Sequence, residues 1–385
     1  MARADVLLIG GGVASARCAR ALRRHGFGGS IVLVGAEAQL PYNRPPLSKE
    51  LLRGDLPDEL VLAEPESFYV RRNVSLRLGA MVEELDSEAR TTTLEDGSRI
   101  EFGMCLLATG AEPRIPSIDG AEHALLLRTL ADARRLRAAA LAAGSGAPVT
   151  VIGGGFIGVE VASALAALGL RPTIVEMAPH LWGGLLGTQL AGWGAARLAG
   201  AGVAVRHGVA VTRLDAGAAW IGEERLAHAF AVAGIGVSPR VELGQRAGLA
   251  TDDGIRADAA QRTSHPAIWA AGDVARAGER RVEHWHAARE AGERAALSML
   301  DLPLPAHRAP WIFSEVGGVA LDVIGDARGW DEERWLRDDA VLAYLDAGRV
   351  AQLAVIGSAL DPATARGLVE RGASVHEVEQ AVLGS

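Results

Sequence analysis

Apolar positions along this chain keep two periods, and the change from one to the other happens twice in the same way. Residues 5–9 (DVLLI) form a short apolar run of the kind a buried parallel strand uses. Glycines follow at 10, 11 and 12, and Ala16, Cys18, Ala19 and Leu22 then recur at helical spacing. A second strand is expected over 30–34 (SIVLV), leading to Glu37. Farther along the same order returns: 149–152 (VTVI), glycines at 153, 154, 155 and 158, a helix through Glu160 to Leu168, and a strand over 172–175 (PTIV) ending at Glu176. Two more runs, 106–114 and 233–240, pass from strand to small-residue turn to proline and read as the crossings out of a first domain and back. The run 268–273 (IWAAGD) carries Asp273 to the carboxyl edge of a parallel sheet, where ligands bind. Toward the end, 319–324, 341–345 and 349–356 read as strands, the last two as a hairpin across Asp346, Ala347 and Gly348. Two helices are expected over 362–371 and 376–383.

The repeated turn carries chemistry. Gly10 and Gly12 with Ser15 make Gly-x-Gly-x-x-Ser; Gly153, Gly155 and Gly158 make Gly-x-Gly-x-x-Gly. Glycines permit a tight turn and let the backbone approach a pyrophosphate seated on the helix N-terminus. Glu37 and Glu176 stand where an acid accepts hydrogen bonds from a ribose. Ser15 departs mildly from the pattern, since the third position needs only a small residue. Glu176 favours NADH: its carboxylate bonds a 2′-hydroxyl and repels a 2′-phosphate. Met177, Ala178 and Pro179 after it bring no arginine, although His180 stands within reach of a phosphate. Two nucleotide sites in one chain suggest a flavin and a nicotinamide exchanging hydride.

The fold class expected is therefore α/β, with two Rossmann-like dinucleotide-binding domains plus a C-terminal α+β interface domain. The boundaries are 1–112 for the first part of the FAD-binding domain, 113–240 for the NAD-binding domain, 241–305 for the second part of the FAD-binding domain, and 306–385 for the last. A net charge of −8 and a pI near 5.7 argue against a nucleic-acid binder. The apolar run at 5–9 is too short for a signal peptide and ends in glycines, and no run is long enough to span a membrane. Cys18 and Cys105, far apart, fit a reducing cytoplasm and form neither a metal site nor a disulfide framework. His284 and His286 lack a third ligand nearby, so no metal is assigned.

One basic residue stands apart. Of 39 Lys and Arg residues only Lys49 is lysine. It closes the segment LPYNRPPLSK (40–49), where adjacent prolines stiffen the backbone between Arg44 and Lys49. Arginine is a wide fork of fixed charge, whereas lysine is a compact point charge, so a lone lysine marks a place where arginine does not serve.

The two glycine turns, the Gly-Asp at 272–273 and this segment together resemble the oxygenase-coupled, FAD-dependent NADH:ferredoxin reductases of the glutathione-reductase fold, over about residues 1 to 300. The disulfide-reductase branch would carry a cysteine pair or a single cysteine in the segment, and this chain carries none, so electrons are expected to leave the flavin directly. The resemblance implies FAD contacts from Gly10, Gly12, Val13, Ala14, Ser15, Glu37, Arg44, Pro45, Lys49, Val82, Ala108, Thr109, Gly110, Arg128, Gly272, Asp273, His284 and Trp285. It implies NADH contacts from Gly153, Gly155, Phe156, Ile157, Gly158, Glu176 and Gly236. Lys49 is expected near flavin N5, paired with Glu160, as the catalytic pair. A two-iron ferredoxin is the expected acceptor, feeding a ring-hydroxylating dioxygenase or a haem-thiolate monooxygenase, with the reductase a cytoplasmic monomer or homodimer. The alternatives are an NADH oxidase, a rubredoxin or quinone reductase, or a redox-sensing flavoprotein of the apoptosis-inducing type. Residues 310–316 keep only part of the family's aromatic motif, which leaves the acceptor open. Because ferredoxins are usually acidic, docking is expected through Arg276, Arg280, Arg281, Arg289, Arg294 and Arg308.

Overall fold

The computed structural model of the chain describes residues 2–327 and 329–383. They divide into two compact units. The first holds the residues up to Arg44 together with Asp58–Glu112 and Val237–His307. The second holds Pro45–Pro57, Pro113–Gly236 and the residues from Arg308 onward.

In the first unit, strand Ala2–Ile9 lies between two parallel neighbours, Ile31–Gly35 and Arg99–Leu107, with Ile9 level with Val34 and Leu107. Val74–Leu78 extends one side in parallel; Thr91–Leu94 and Val82–Asp86 extend the other antiparallel. Ile268–Ala270 pairs in parallel with the end of Arg99–Leu107. Leu7, Leu8, Leu106 and Leu107 are fully buried, as adjacent strand residues are when both faces of a sheet are covered. One covering layer is the helix pair Val13–Arg24 and Trp285–Met299. They approach so closely that a Cβ on Gly292 would lie 2.2 Å from the Ala14 carbonyl oxygen.

The second unit repeats the scheme. Five parallel strands run in the order Ala204–His207, Arg171–Glu176, Pro148–Ile152, Phe230–Ala233 and Ala124–Leu126. Helices Phe156–Ala167 and Leu130–Ala143 flank them. The latter starts at a capping box, Thr129 accepting from the Asp132 N–H and Asp132 from the Thr129 N–H. The C-terminal sheet is antiparallel, ordered Trp311–Val316, Val319–Gly325, Arg349–Ile356, Val341–Asp346 and Glu332–Arg337. The expected hairpin and both closing helices, Pro362–Glu370 and Val375–Leu383, are present. Strand Glu332–Arg337 was not legible: it is a charged edge strand, and its polar pattern carries no core signal. One apolar core runs from Val159 and Leu165 to Val316, Leu321 and Tyr344, so the C-terminal sheet packs continuously with helix Phe156–Ala167. No helix among the described residues is long and apolar enough to cross a membrane.

Candidate active site

Each glycine turn has a physical necessity behind it. Gly10 follows the strand at φ +120°, and a Cβ there would sit 2.1 Å from the Ala108 carbonyl oxygen. The Gly10 N–H donates to Val34 and the Ala108 N–H to Ile9, both at 2.8 Å, so turn and crossing strand are locked side by side. Gly12 begins helix Val13–Arg24 with no side chain capping it. The first-turn N–H groups of Val13, Ala14 and Ser15 thus present positive dipole ends, the arrangement a pyrophosphate occupies. Ser15 is fully buried, its hydroxyl without a partner.

Around this turn the first unit gathers several expected residues. Glu37 accepts from Arg44 at 3.1 Å and from the Tyr42 hydroxyl at 2.7 Å. A Cβ on Gly12 would lie 3.5 Å from the Arg44 guanidinium, and one on Gly272 would lie 3.3 Å from Ala14 Cβ. Asp273 follows Gly272, and its backbone carbonyl takes the Arg281 guanidinium at 3.1 Å. Trp285 donates its indole N–H to Asn43 at 2.8 Å, which ties the start of helix Trp285–Met299 to the loop carrying Arg44. Thr109 donates to the Arg240 carbonyl at 2.9 Å, and Gly110 accepts from the Arg240 N–H at 3.0 Å. Val82 heads an antiparallel strand; just before it, Gly79 donates to the Glu37 carbonyl and Ala80 to that of Gly35, both at 3.0 Å. Burial pushes the His284 imidazole down to about 4 against the opposing pull of Asp273, leaving it neutral at pH 7. Tyr42 and Asn43 carry no signal of their own in the sequence, because one of their partners, Trp285, lies 242 residues away and the other, Glu37, is met only through the fold of the loop.

The nicotinamide turn is tighter. A Cβ on Gly158 would lie 2.0 Å from the Gly153 carbonyl oxygen, and one on Gly153, at φ +101°, would lie 2.5 Å from that of Gly234. Gly155 has open space and no side-chain cap, which suits it to a phosphate. Both Glu176 oxygens are oriented by backbone, one by the Gly154 N–H and the other by that of Ala178 at 2.7 Å. Phe156 lies 6.0 Å from the buried Trp182 ring, while Ile157 is exposed. Gly236 sits at φ +95° and accepts from the Arg114 N–H at 3.0 Å.

Pro45 and Lys49 belong to the second unit, in and just after the short helical turn Pro45–Ser48. Lys49 Nζ meets Glu160 Oε2 at 3.0 Å, with side-chain exposures of 7% and 5%. Ser48 donates to the same oxygen, and Ser314 donates to Oε1 at 2.7 Å. The ammonium lies 5.6 Å from the Phe313 ring centroid. A buried carboxylate with three donors and one compensating cation is an electrostatic device rather than a stabilising one. Desolvation of such a pair offsets much of its attraction. Arg128, also in the second unit, donates its N–H to Asp132 at 3.1 Å at a helix start.

One expectation changes. The arginines foreseen as a docking patch are largely engaged within the fold. Arg276 pairs with Asp252 at 2.7 Å, Arg281 is 4% exposed between Asp253 and Glu283, Arg294 donates to two carbonyls, and Arg308 pairs with Glu370. The cysteines, for their part, are not merely apart. Cys18 and Cys105 are buried in separate cores with thiols pushed upward by burial, so neither serves as a relay. Among the described residues no group of His, Cys, Asp and Glu is placed to hold a metal ion.

Two glycine turns that open uncapped helices, a buried lysine–carboxylate pair and two buried thiols are features of an oxidoreductase that uses two nucleotides. The chain belongs to the pyridine nucleotide-disulphide oxidoreductase family, whose profile matches residues 4–292. It is 35% identical over 384 residues to the ferredoxin–NAD(+) reductase component of the p-cumate 2,3-dioxygenase system of Pseudomonas putida, covering 96% of this chain and 94% of that one. It is 31% identical to a rubredoxin–NAD(+) reductase of Pseudomonas putida, covering 85% and 88%. Its fold superposes on the reductase of a covalent putidaredoxin reductase–putidaredoxin complex with a TM-score of 0.92 at 26% identity, over 100% of this chain and 99% of that one.

Proposed function

We propose that the chain is an FAD-dependent NADH:ferredoxin reductase that works in the cytoplasm beside an oxygenase. Bound FAD would supply the chemistry that side chains cannot, taking one hydride with its two electrons and releasing those electrons singly. In this reading Gly12, Glu37, Arg44 and Asp273 hold the flavin nucleotide, and Gly155, Gly158 and Glu176 hold NADH. The Lys49 ammonium, held by Glu160, offers positive charge where a reduced flavin gathers negative charge. The observation that carries the reading is the presence of two glycine turns suited to nucleotides beside two buried cysteines, which leaves direct transfer from the flavin to an external acceptor. A two-iron ferredoxin serving a dioxygenase or a haem-thiolate monooxygenase fits the relatives. The likeness to a rubredoxin reductase keeps rubredoxin as the second acceptor to try.

The test is direct. Purified protein is expected to be yellow with non-covalent FAD, to bleach on mixing with NADH, and to pass electrons to a two-iron ferredoxin faster than to rubredoxin, a quinone or oxygen. Colourless protein that refuses added FAD rejects the reading; bleaching followed by faster oxygen or quinone turnover moves it to an oxidase or quinone reductase.

A further inference from the structure

Glu160 holds more than Lys49. Its carboxylate takes three donors from two segments far apart in sequence: the adjacent Ser48 and Lys49 at Oε2, and Ser314 at Oε1. We propose that Ser48 and Ser314 are positioning residues: they clasp the Glu160 carboxylate in one orientation and thereby fix the Lys49 ammonium for flavin reduction. The proposal rests on the flavin reading above.

The geometry separates this clasp from ordinary satisfied core hydroxyls. Ser163, one turn farther along the same helix, donates to the Val159 carbonyl at 2.7 Å, the common back-bond of a helical serine, and accepts from the Gly317 N–H at 2.9 Å. Ser314 instead sits on strand Trp311–Val316 and gives its proton to Glu160. Both hydroxyls are buried, at 2% for Ser48 and 5% for Ser314. A carboxylate has about four acceptor positions, and three are filled here. Without the Ser314 hydroxyl the buried Oε1 loses that donor, and without the Ser48 hydroxyl Oε2 is held by Lys49 alone; either loss frees the carboxylate to turn. Lys49 lies at the start of the short helix Glu50–Arg53, whose own place is fixed by Arg53 on Glu315 at 2.7 Å and by Arg137 on the Leu52 carbonyl at 2.8 Å. The backbone under Lys49 is thus held independently, and the clasp acts on the side-chain pair.

Because Lys49 is the chain's only lysine, its reactivity can be read without assignment. Ser314→Val and Ser314→Thr differ by one hydroxyl at nearly equal volume on a strand that accepts branched residues. Acetic anhydride labelling of Lys49, followed by mass spectrometry on the protein before and after FAD loading, reports how firmly the ammonium is held. Ser314→Val is expected to raise the labelling rate about tenfold and to slow flavin bleaching by NADH about tenfold, while Ser314→Thr stays within about twofold of native in both. Ser48→Ala carries the same expectation from the other oxygen and decides the matter if Ser314→Val does not fold. Equal lysine reactivity across the native protein, Ser314→Val and Ser48→Ala overturns the clasp. Native protein that NADH cannot bleach rejects the flavin reading instead, and the labelling comparison before FAD loading still decides the clasp.

Discussion

At the scale of single residues, Lys49 shows why scarcity in a sequence can point to chemistry. A guanidinium is wider than an ammonium and fixed in its fork, and the site that encloses Lys49 leaves its side chain 7% exposed beside Glu160 and Phe313. Replacing it with methionine keeps much of the volume and removes the charge. Such a variant should still bind FAD, but its bleaching by NADH should slow by about 2–4 kcal/mol of barrier, the usual worth of one preorganised electrostatic contact. Stopped-flow traces unchanged from native would show the charge to be incidental. It should also unfold at lower temperature, because Glu160 is left as a buried carboxylate without its cation. How much of this was legible differs by residue. Lys49 stood out in composition and in its proline-rich segment. Glu160 entered only through resemblance, since 111 residues separate the pair. Ser314 lay in the most divergent domain, and nothing in a one-dimensional pattern marks a hydroxyl that travels 154 residues to its acceptor.

At the scale of elements, the strand–turn–helix units followed the pattern closely because each encodes its own ends: a buried apolar run, glycines that must adopt positive φ, then helical spacing. Gly158 is the sharpest case. Alanine there would place a Cβ 2.0 Å from the Gly153 carbonyl oxygen, so the turn must open by about an ångström or more. Reduction by NADH should fall on the order of a hundredfold, with FAD retained, since misplacing a bound substrate by about an ångström has that effect. Unchanged kinetics with NADH would contradict this packing. Helix Thr188–Gly200 escaped the sequence because its cap is not local. Glu333, on the C-terminal sheet, accepts from the Thr188 and Gln189 N–H groups at 3.1 and 2.9 Å. Glu333→Ala should therefore cost roughly 1–2 kcal/mol, read as a melting temperature lower by a few degrees. His284, at the start of helix Trp285–Met299, adds a pH dependence. Its folded pKa of about 4 lies below the ordinary histidine value of 6.5, so the unfolded chain binds the proton first as pH falls. Its contribution is complete above about pH 6.5 and is lost progressively down to about pH 4. Urea midpoints should decline across that window and decline less in His284→Gln.

At the scale of the whole molecule, charge is the property that composition described and structure redistributed. The chain is net negative by eight, and acidic ferredoxins would be repelled by it from a distance, so any steering must come from local cations. The sequence pointed to six arginines, but a sequence cannot say which are already answered. Asp252, Asp253, Glu283 and Glu370 answer Arg276, Arg281 and Arg308 within the fold, and backbone carbonyls answer Arg294. Arg289 is laid over the Trp285 ring at 4.2 Å, and Arg280 is exposed. The two neighbours Arg280 and Arg281 should then behave differently, although sequence alone treats them alike. Arg281→Glu would bury a carboxylate between Asp253 and Glu283 and should lower the melting temperature whatever the acceptor. Arg280→Glu should leave the KM for NADH unchanged while raising the KM for ferredoxin. Exposed charges are screened over about 10 Å at 0.1 M salt, so ferredoxin reduction should slow as salt rises through that range. Reduction of ferricyanide, which needs no docking, should slow far less. Equal salt sensitivity for both acceptors, together with a silent Arg280→Glu, would place ferredoxin docking on some other surface of the protein.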